Sequence, residues 1–209
     1  MAAHEIYAEV LTGRKHGYPL WNPSPTEDLR NMSPGSPKAI QLGDVGYVFR
    51  GSFHRLFNVH LPEQHDDQGK FLPEYFVPLD VSPLPLRRST RPGPETISST
   101  NTRVTKVSAE AGSPGFGGLH LLVKPTRKSS AALHFVEDAF FEDVPNPGEY
   151  KKYTLEHGES WYKLAKDLKL GIGPGEMMLI TGRTMTNTWA NIAFADTTSE
   201  FEVALQVDH

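Results

Sequence analysis

GESWYKLAKDLKLGIGPGEMMLITGRTMTNTWANIAF, residues Gly158 to Phe194, carries the clearest local signals in the chain. Trp161, Leu164, Ala165 and Leu168 recur at three- and four-residue spacing, with Lys163, Lys166 and Lys169 on the other side and Ser160 standing where an N-cap would. This pattern predicts a short helix near residues 160–170. Gly171 and Gly173 close it, because glycine adopts the turned backbone of a helix end at little steric cost. Met177 to Thr181 and Thr188 to Phe194 are then apolar, β-prone runs, and predict two strands paired across the polar segment 182–187.

Strand signals dominate the rest of the sequence. Val45-Gly46-Tyr47-Val48-Phe49 and Phe53 to Val59 read as a hairpin turning at Arg50-Gly51-Ser52. In its second arm Phe53, Leu56 and Phe57 do not alternate, which predicts a bulge or a change of face. Ile6 to Leu11, bounded by Gly13, reads as a strand. A proline-rich stretch from Pro19 to Pro37 follows, and proline's missing donor makes it a surface loop. Residues 61–72 are polar and turn-like. Arg103 to Ser108 alternates as a strand. Leu119 to Val123 and Ala131 to Val136 are expected to pair as a hairpin across Pro125 to Lys128. Phe140 to Val144 extends the last of these, and Phe201 to Val207 alternates as a final strand. The expected fold is mainly β, sandwich-like, with about nine strands and one short packed helix. It forms a single β-rich domain over residues 1–209, with room for two lobes joined by a Pro/Ser/Thr-rich segment at 73–103.

Composition narrows the function classes. The chain has 209 residues, 38% hydrophobic and 22% charged, which is enough to bury a sizeable core. A formal charge of -4 gives no general attraction to nucleic acid. No cysteine is present, so disulfides, thiol catalysis and thiolate metal ligation are excluded. No apolar run approaches the roughly 18 residues of a membrane span. Met1-Ala2-Ala3-His4-Glu5 lacks the pattern of a signal peptide. The expectation is a cytoplasmic protein with no nucleic-acid partner and no membrane span.

Motifs that could carry chemistry read more simply as structure. Gly171-Ile172-Gly173-Pro174-Gly175 closes a helix and enters a strand, the reverse of a dinucleotide loop, and lacks the lysine of a P-loop. The glycine-rich run from Gly112 to Gly118 also precedes a strand. His60, His65, Asp66 and Asp67 offer metal-ligand types within a short span but share no helix face, so a solvated loop is expected and no metal or other cofactor is assigned. Glu137-Asp138 and Glu142-Asp143 are adjacent pairs whose side chains point to opposite faces of a strand. Arg87, Arg88 and Arg91 form a small basic patch beside Ser89 and Thr90, read as an exposed loop cluster. Trp161 and Trp189 read as struts pinning the helix to the sheet. The candidate ligand-binding residues are Tyr18, Trp21, His54, Asn58, Arg183 and Trp189, aromatic and polar groups near turns and element ends.

Two groups of segments, taken together, resemble a known family. One is Gly43-Asp44-Val45-Gly46-Tyr47-Val48 with Phe53-His54-Arg55-Leu56-Phe57-Asn58. The other is Ser160-Trp161-Tyr162, Gly171-Ile172, Leu179-Ile180-Thr181-Gly182, Thr188-Trp189-Ala190 and Ala193-Phe194. Gly17-Tyr18-Pro19-Leu20-Trp21 fits the same pattern. Jointly they resemble a large family of uncharacterised proteins from mushroom-forming (basidiomycete) fungi. Some relatives form the N-terminal portions of longer chains with immune-receptor-type architectures. The resemblance implies no particular activity and carries over no catalytic residue. Relatives often have a cysteine and a lysine after the LITG-like strand, where this chain has Arg183 and Thr184.

Three functions follow as expectations. The first is a non-enzymatic ligand- or protein-interaction module, defence-related or acting through self-association as a homo-oligomer. The second is a lectin-like, glycan-binding protein in which Trp21 or Trp189 stacks on a sugar and Asn58, Asn187 or Asp44 bonds its hydroxyls. The third is a small-molecule hydrolase using His54, His60 or His134 with a carboxylate.

Overall fold

The computed structural model describes residues 1–14, 16–23, 39–81, 85–100, 102–107, 118–125, 129–195 and 201–206, with backbone alone for 102–107, 118–125, 195 and 201–206. Residues 24–38, which hold most of the proline-rich run, the glycine-rich run at 112–117 and the 126–128 turn lie outside these residues. The described chain is mainly β. In order, its elements are α1 (Ala3–Thr12), β1 (Asp44–Phe49), β2 (Ser52–Asn58), β3 (Arg87–Arg91), β4 (Glu95–Ser98), β5 (Thr102–Val107), β6 (Gly118–Pro125), β7 (Ser129–Phe135) and β8 (Ala139–Asp143). There follow α2 (Pro147–Asp167), a short 3-10 turn at Pro174–Glu176, β9 (Met177–Leu179), β10 (Gly182–Met185), β11 (Trp189–Ala195) and β12 (Phe201–Gln206). The strands form four three-stranded sheets, ordered β2-β1-β9, β10-β8-β3, β11-β7-β4 and β12-β6-β5.

The hairpin at 44–58 forms as its sequence predicts. β1 and β2 are antiparallel, and the turn residues Arg50 and Gly51 hold φ of 51° and 82°, the paired left-handed conformation of a tight two-residue turn. The pairing steps from Val45–Phe57 to Gly46–Arg55, so Leu56 is an extra residue. That bulge lets Leu56 and Phe57 both be buried, and accounts for the broken alternation.

Several expectations are corrected. Ile6 to Leu11 is helical: Ile6, Tyr7 and Leu11 are the buried residues of α1, a spacing that lines one helix face. The β-branched and aromatic content suggested a strand, but burial against β7 and β11 decides the outcome. α2 begins at Pro147, well before Ser160. Proline suits a first helical turn because its missing donor would be unpaired there anyway. Met177 to Leu179 pairs with β1, whereas Trp189 to Ala195 pairs with β7, so the two runs are not each other's partners. Likewise β6 pairs with β5 and β12, and β7 with β4 and β11, so these consecutive strands lie in different sheets. Twelve strands are described, two of them (β3 and β4) within the 73–103 segment.

Contacts divide the chain into two compact units. One comprises Met1–Trp21, Thr90–Phe140 and Met185–His209; the other comprises Asn22–Ser89 and Phe141–Thr184. In the first, α1 lies against β7 and β11, and the small residues Ser130, Ala131 and Ala132 of β7 are buried. In the second, α2 covers the hairpin. Trp161 meets Phe57 edge-on at 5.8 Å, Phe76 meets Phe57 at 5.7 Å, and Val45, Leu56, Val59 and Tyr153 complete the core. Trp161, 2% exposed, is therefore the strut its sequence position suggested.

Candidate binding groove and the polar cluster beside it

The six candidate residues separate between the units. Tyr18, Trp21 and Trp189 belong to the first. Tyr18 is 44% exposed, whereas the Trp21 ring stands edge-on to Tyr7 at 5.3 Å and its carbonyl accepts the Asn191 amide. Trp189 opposes Phe135 at the start of β11 and is half-buried. His54, Asn58 and Arg183 belong to the second unit. The His54 ring stacks on Tyr47 at 5.4 Å and touches the edge of Phe49. The Arg183 guanidinium grips the Glu142 carboxylate at 2.6 Å and the Ile40 carbonyl. Arg88 takes the other Glu142 oxygen at 2.8 Å, and the two guanidiniums hold that carboxyl below the usual range.

Asn58 sits in a buried polar cluster. It is 2% exposed; its amide nitrogen donates to Asp44 Oδ1 at 2.8 Å and the Leu42 carbonyl at 3.0 Å, and its side-chain oxygen accepts from the His60 backbone. Asp44 is 1% exposed, accepts from the Gln41 backbone, and lies 3.0 Å from Arg55 Nε. Burial raises its pKa, with Arg55 the largest opposing influence. His60 Nε2 lies 3.0 Å from the Tyr150 hydroxyl, and its Nδ1 lies 3.4 Å from the Leu79 carbonyl. Burial lowers the His60 pKa. Asp44 and Asn58 are thus committed to the fold and present no free group to a sugar hydroxyl.

The same cluster fixes the loop that follows. Gln68, 4% exposed, accepts from Asn58 N and donates to Asn58 O, and also engages the Leu61 carbonyl and Gly69 N. Gly69 lies directly on β2: a Cβ there would stand 1.9 Å from the Leu56 carbonyl oxygen, so only glycine fits. Arg55 donates to the Asp67 carbonyl. Farther on, Leu79 N donates to Val59 O, and the Tyr153 hydroxyl bonds the Val77 carbonyl. A segment whose sequence reads as polar turns is held at both ends by the hairpin and α2.

This loop bounds an open groove of ≈ 590 Å³ that includes Glu63, Lys70, Leu72, Pro73, Tyr75 and Phe76. Phe76 points into the core, while the adjacent Tyr75 is 86% exposed and holds a left-handed backbone, φ 57°. Such a conformation is costly for a bulky residue and persists only where the surroundings impose it. Glu74 beside it pairs with Lys163 of α2 at 2.5 Å. None of the candidates chosen from sequence lies in the groove. The available signal was the aromatic cluster Phe71, Tyr75 and Phe76 within a proline-punctuated polar segment.

Other sequence candidates find structural employment. His65 Nδ1 accepts from Asp67 N within its own turn, and among the described residues no three His, Asp or Glu side chains converge as a metal site requires. His134 is buried, with Nδ1 2.8 Å from the Thr96 hydroxyl. Arg87 donates to the Pro145 carbonyl, and Arg91 pairs with Glu95. Asp138 accepts from Gly93 N. No described helix is long and apolar enough to cross a membrane. No protein-family model, curated protein or solved structure matches the chain.

Proposed function

We propose that this protein is a non-enzymatic binding module whose ligand contacts lie on the 63–76 loop. The observation that carries this reading is Tyr75, a large aromatic ring turned outward at a backbone angle that favours glycine, beside a groove on a firmly anchored loop. Binding sites on rigid supports lose little freedom when occupied. The polar side chains best suited to chemistry in this unit, Asp44, Asn58 and His60, are turned to structural bonds. The resemblance to a fungal family with receptor-like relatives, and a cytoplasmic setting for a chain without cysteine, belong to the same proposal.

The test is a titration of isotope-labelled protein with a library of small saccharides, peptides and nucleotides, followed by backbone NMR. Shift changes should cluster on residues 63–76. Clustering around His60 or His134 together with chemical conversion of the added compound would replace this reading with an enzymatic one.

A further inference from the structure

We infer that the groove bounded by Glu63, Lys70 and Tyr75 binds a neutral oligosaccharide, an inference that rests on the binding-module reading above. The first argument is charge. Glu63 and Lys70 are both exposed on the walls of one groove, so a ligand of either sign is attracted by one and repelled by the other. A dense array of hydroxyl groups has no such conflict. Each hydroxyl can donate to the Glu63 carboxylate or accept from the Lys70 ammonium.

The second argument is the aromatic surface. The Tyr75 ring is 86% exposed, and its π face is electron-rich. The C–H bonds on one side of a pyranose ring are weakly positive and lie flat enough to cover it. Leu72 and Phe76, both half-buried, add only a limited apolar floor, which suits a ligand that is polar at its rim. Lys70 Nζ stands 5.9 Å from the Phe71 ring centre, an arrangement that restrains the ammonium near the groove.

The third argument is preorganisation. Gln68, which also lines the groove, spends its amide on Asn58, Leu61 and Gly69, so the groove floor is fixed before any ligand arrives. The groove is open to solvent and has a volume of ≈ 590 Å³. An apolar peptide would have to desolvate Glu63 and Lys70 without pairing them. A nucleic acid would bring phosphates against Glu63 and a chain of net charge -4.

The experiment applies the full chain to an array of neutral and acidic oligosaccharides and, in parallel, to a peptide array. Calorimetry then follows with any neutral oligosaccharide retained. Binding of a neutral oligosaccharide is expected, weakened about tenfold by Tyr75→Ala and retained by Tyr75→Phe, which keeps the ring. Glu63→Lys should also weaken it. These side chains are exposed, and matching melting curves will confirm that the variants fold. Sugar binding unchanged in Tyr75→Ala overturns the site. Tyr75-dependent capture of peptides alone, or Tyr75-dependent dimerisation by light scattering, overturns the sugar inference and leaves the binding-module reading standing. If no ligand of any class depends on the loop, both fall.

Discussion

Gln68 takes the place of a neighbouring strand for Asn58: one side-chain amide accepts from Asn58 N at 2.9 Å and donates to Asn58 O at 2.8 Å. This is the reciprocal exchange that an antiparallel partner makes, supplied by a side chain at the end of β2. Gln68→Ala should therefore leave both Asn58 backbone groups, together with Leu61 O and Gly69 N, without these partners in a buried site. The expected loss is about 3 kcal/mol in urea unfolding. A loss of only a few tenths would mean that water replaces the amide without penalty.

Glycine has opposite meanings at two positions. Gly69→Ala should destabilise by roughly 2–3 kcal/mol, because the new Cβ would press on the backbone of Leu56 and Phe57. Gly158, inside α2, has only a methyl group at 3.9 Å from the position of a Cβ. Gly158→Ala should stabilise by about 0.5–1 kcal/mol through helix propensity alone. Parallel denaturant titrations check both signs.

Tyr75→Gly separates stability from binding. Relief of the left-handed conformation contributes about 1 kcal/mol, and the added freedom of glycine in the unfolded chain removes about half of that or more. The melting temperature should stay level or rise slightly while ligand binding is lost. A clear fall in melting temperature would show that the exposed ring supports the fold.

The His60 imidazole gives a pH signature. Burial lowers its folded pKa below the usual 6.5, so near and below that value the unfolded chain binds more protons than the folded one. Its contribution to stability is complete above 6.5 and is lost as pH falls through that value toward the folded pKa. Tyr150, Leu79 and Asp44 are the groups that act on it. Burial raises the Asp44 pKa, so that carboxyl acts in the opposite sense: its contribution is present in acid and is lost as pH rises through its folded pKa. Melting curves of wild type and His60→Gln between about pH 5 and 8, the range over which histidine titrates, should differ in slope. Parallel slopes would exclude His60 as the source.

How much of this was legible in the sequence depends on how local the cause was. The 44–58 hairpin could be read because its turn and its broken alternation are short-range signals; they left a bulge or a change of face open, and the register shows the bulge, at Leu56. α1 was misread because Ile6, Tyr7, Val10 and Leu11 fit either a short strand or a helix face, and only packing on β7 and β11 decides. Which strand pairs with which was not written locally, so Met177–Leu179 and Trp189–Ala195 were wrongly joined. The groove was missed because Gln68 orders its loop through backbone groups from another element. Asn58 carries a polar side chain that the fold buries, and nothing in the local pattern around Tyr75 marks its ring as exposed.

The division of the chain bears on how it can be made. Neither unit is one continuous stretch: the second is not complete until Thr184 has been synthesised, and the N-terminal helix finds β11 only after Ala195. During translation, Ile6, Tyr7 and Leu11 remain without part of their eventual cover until β11 has been produced. Folding then depends on contacts between distant positions, which slows it and leaves apolar side chains accessible to chaperones or to other nascent chains. A single cut that isolates one unit intact does not exist, so deletion mapping of this protein would report misfolding before it reported function.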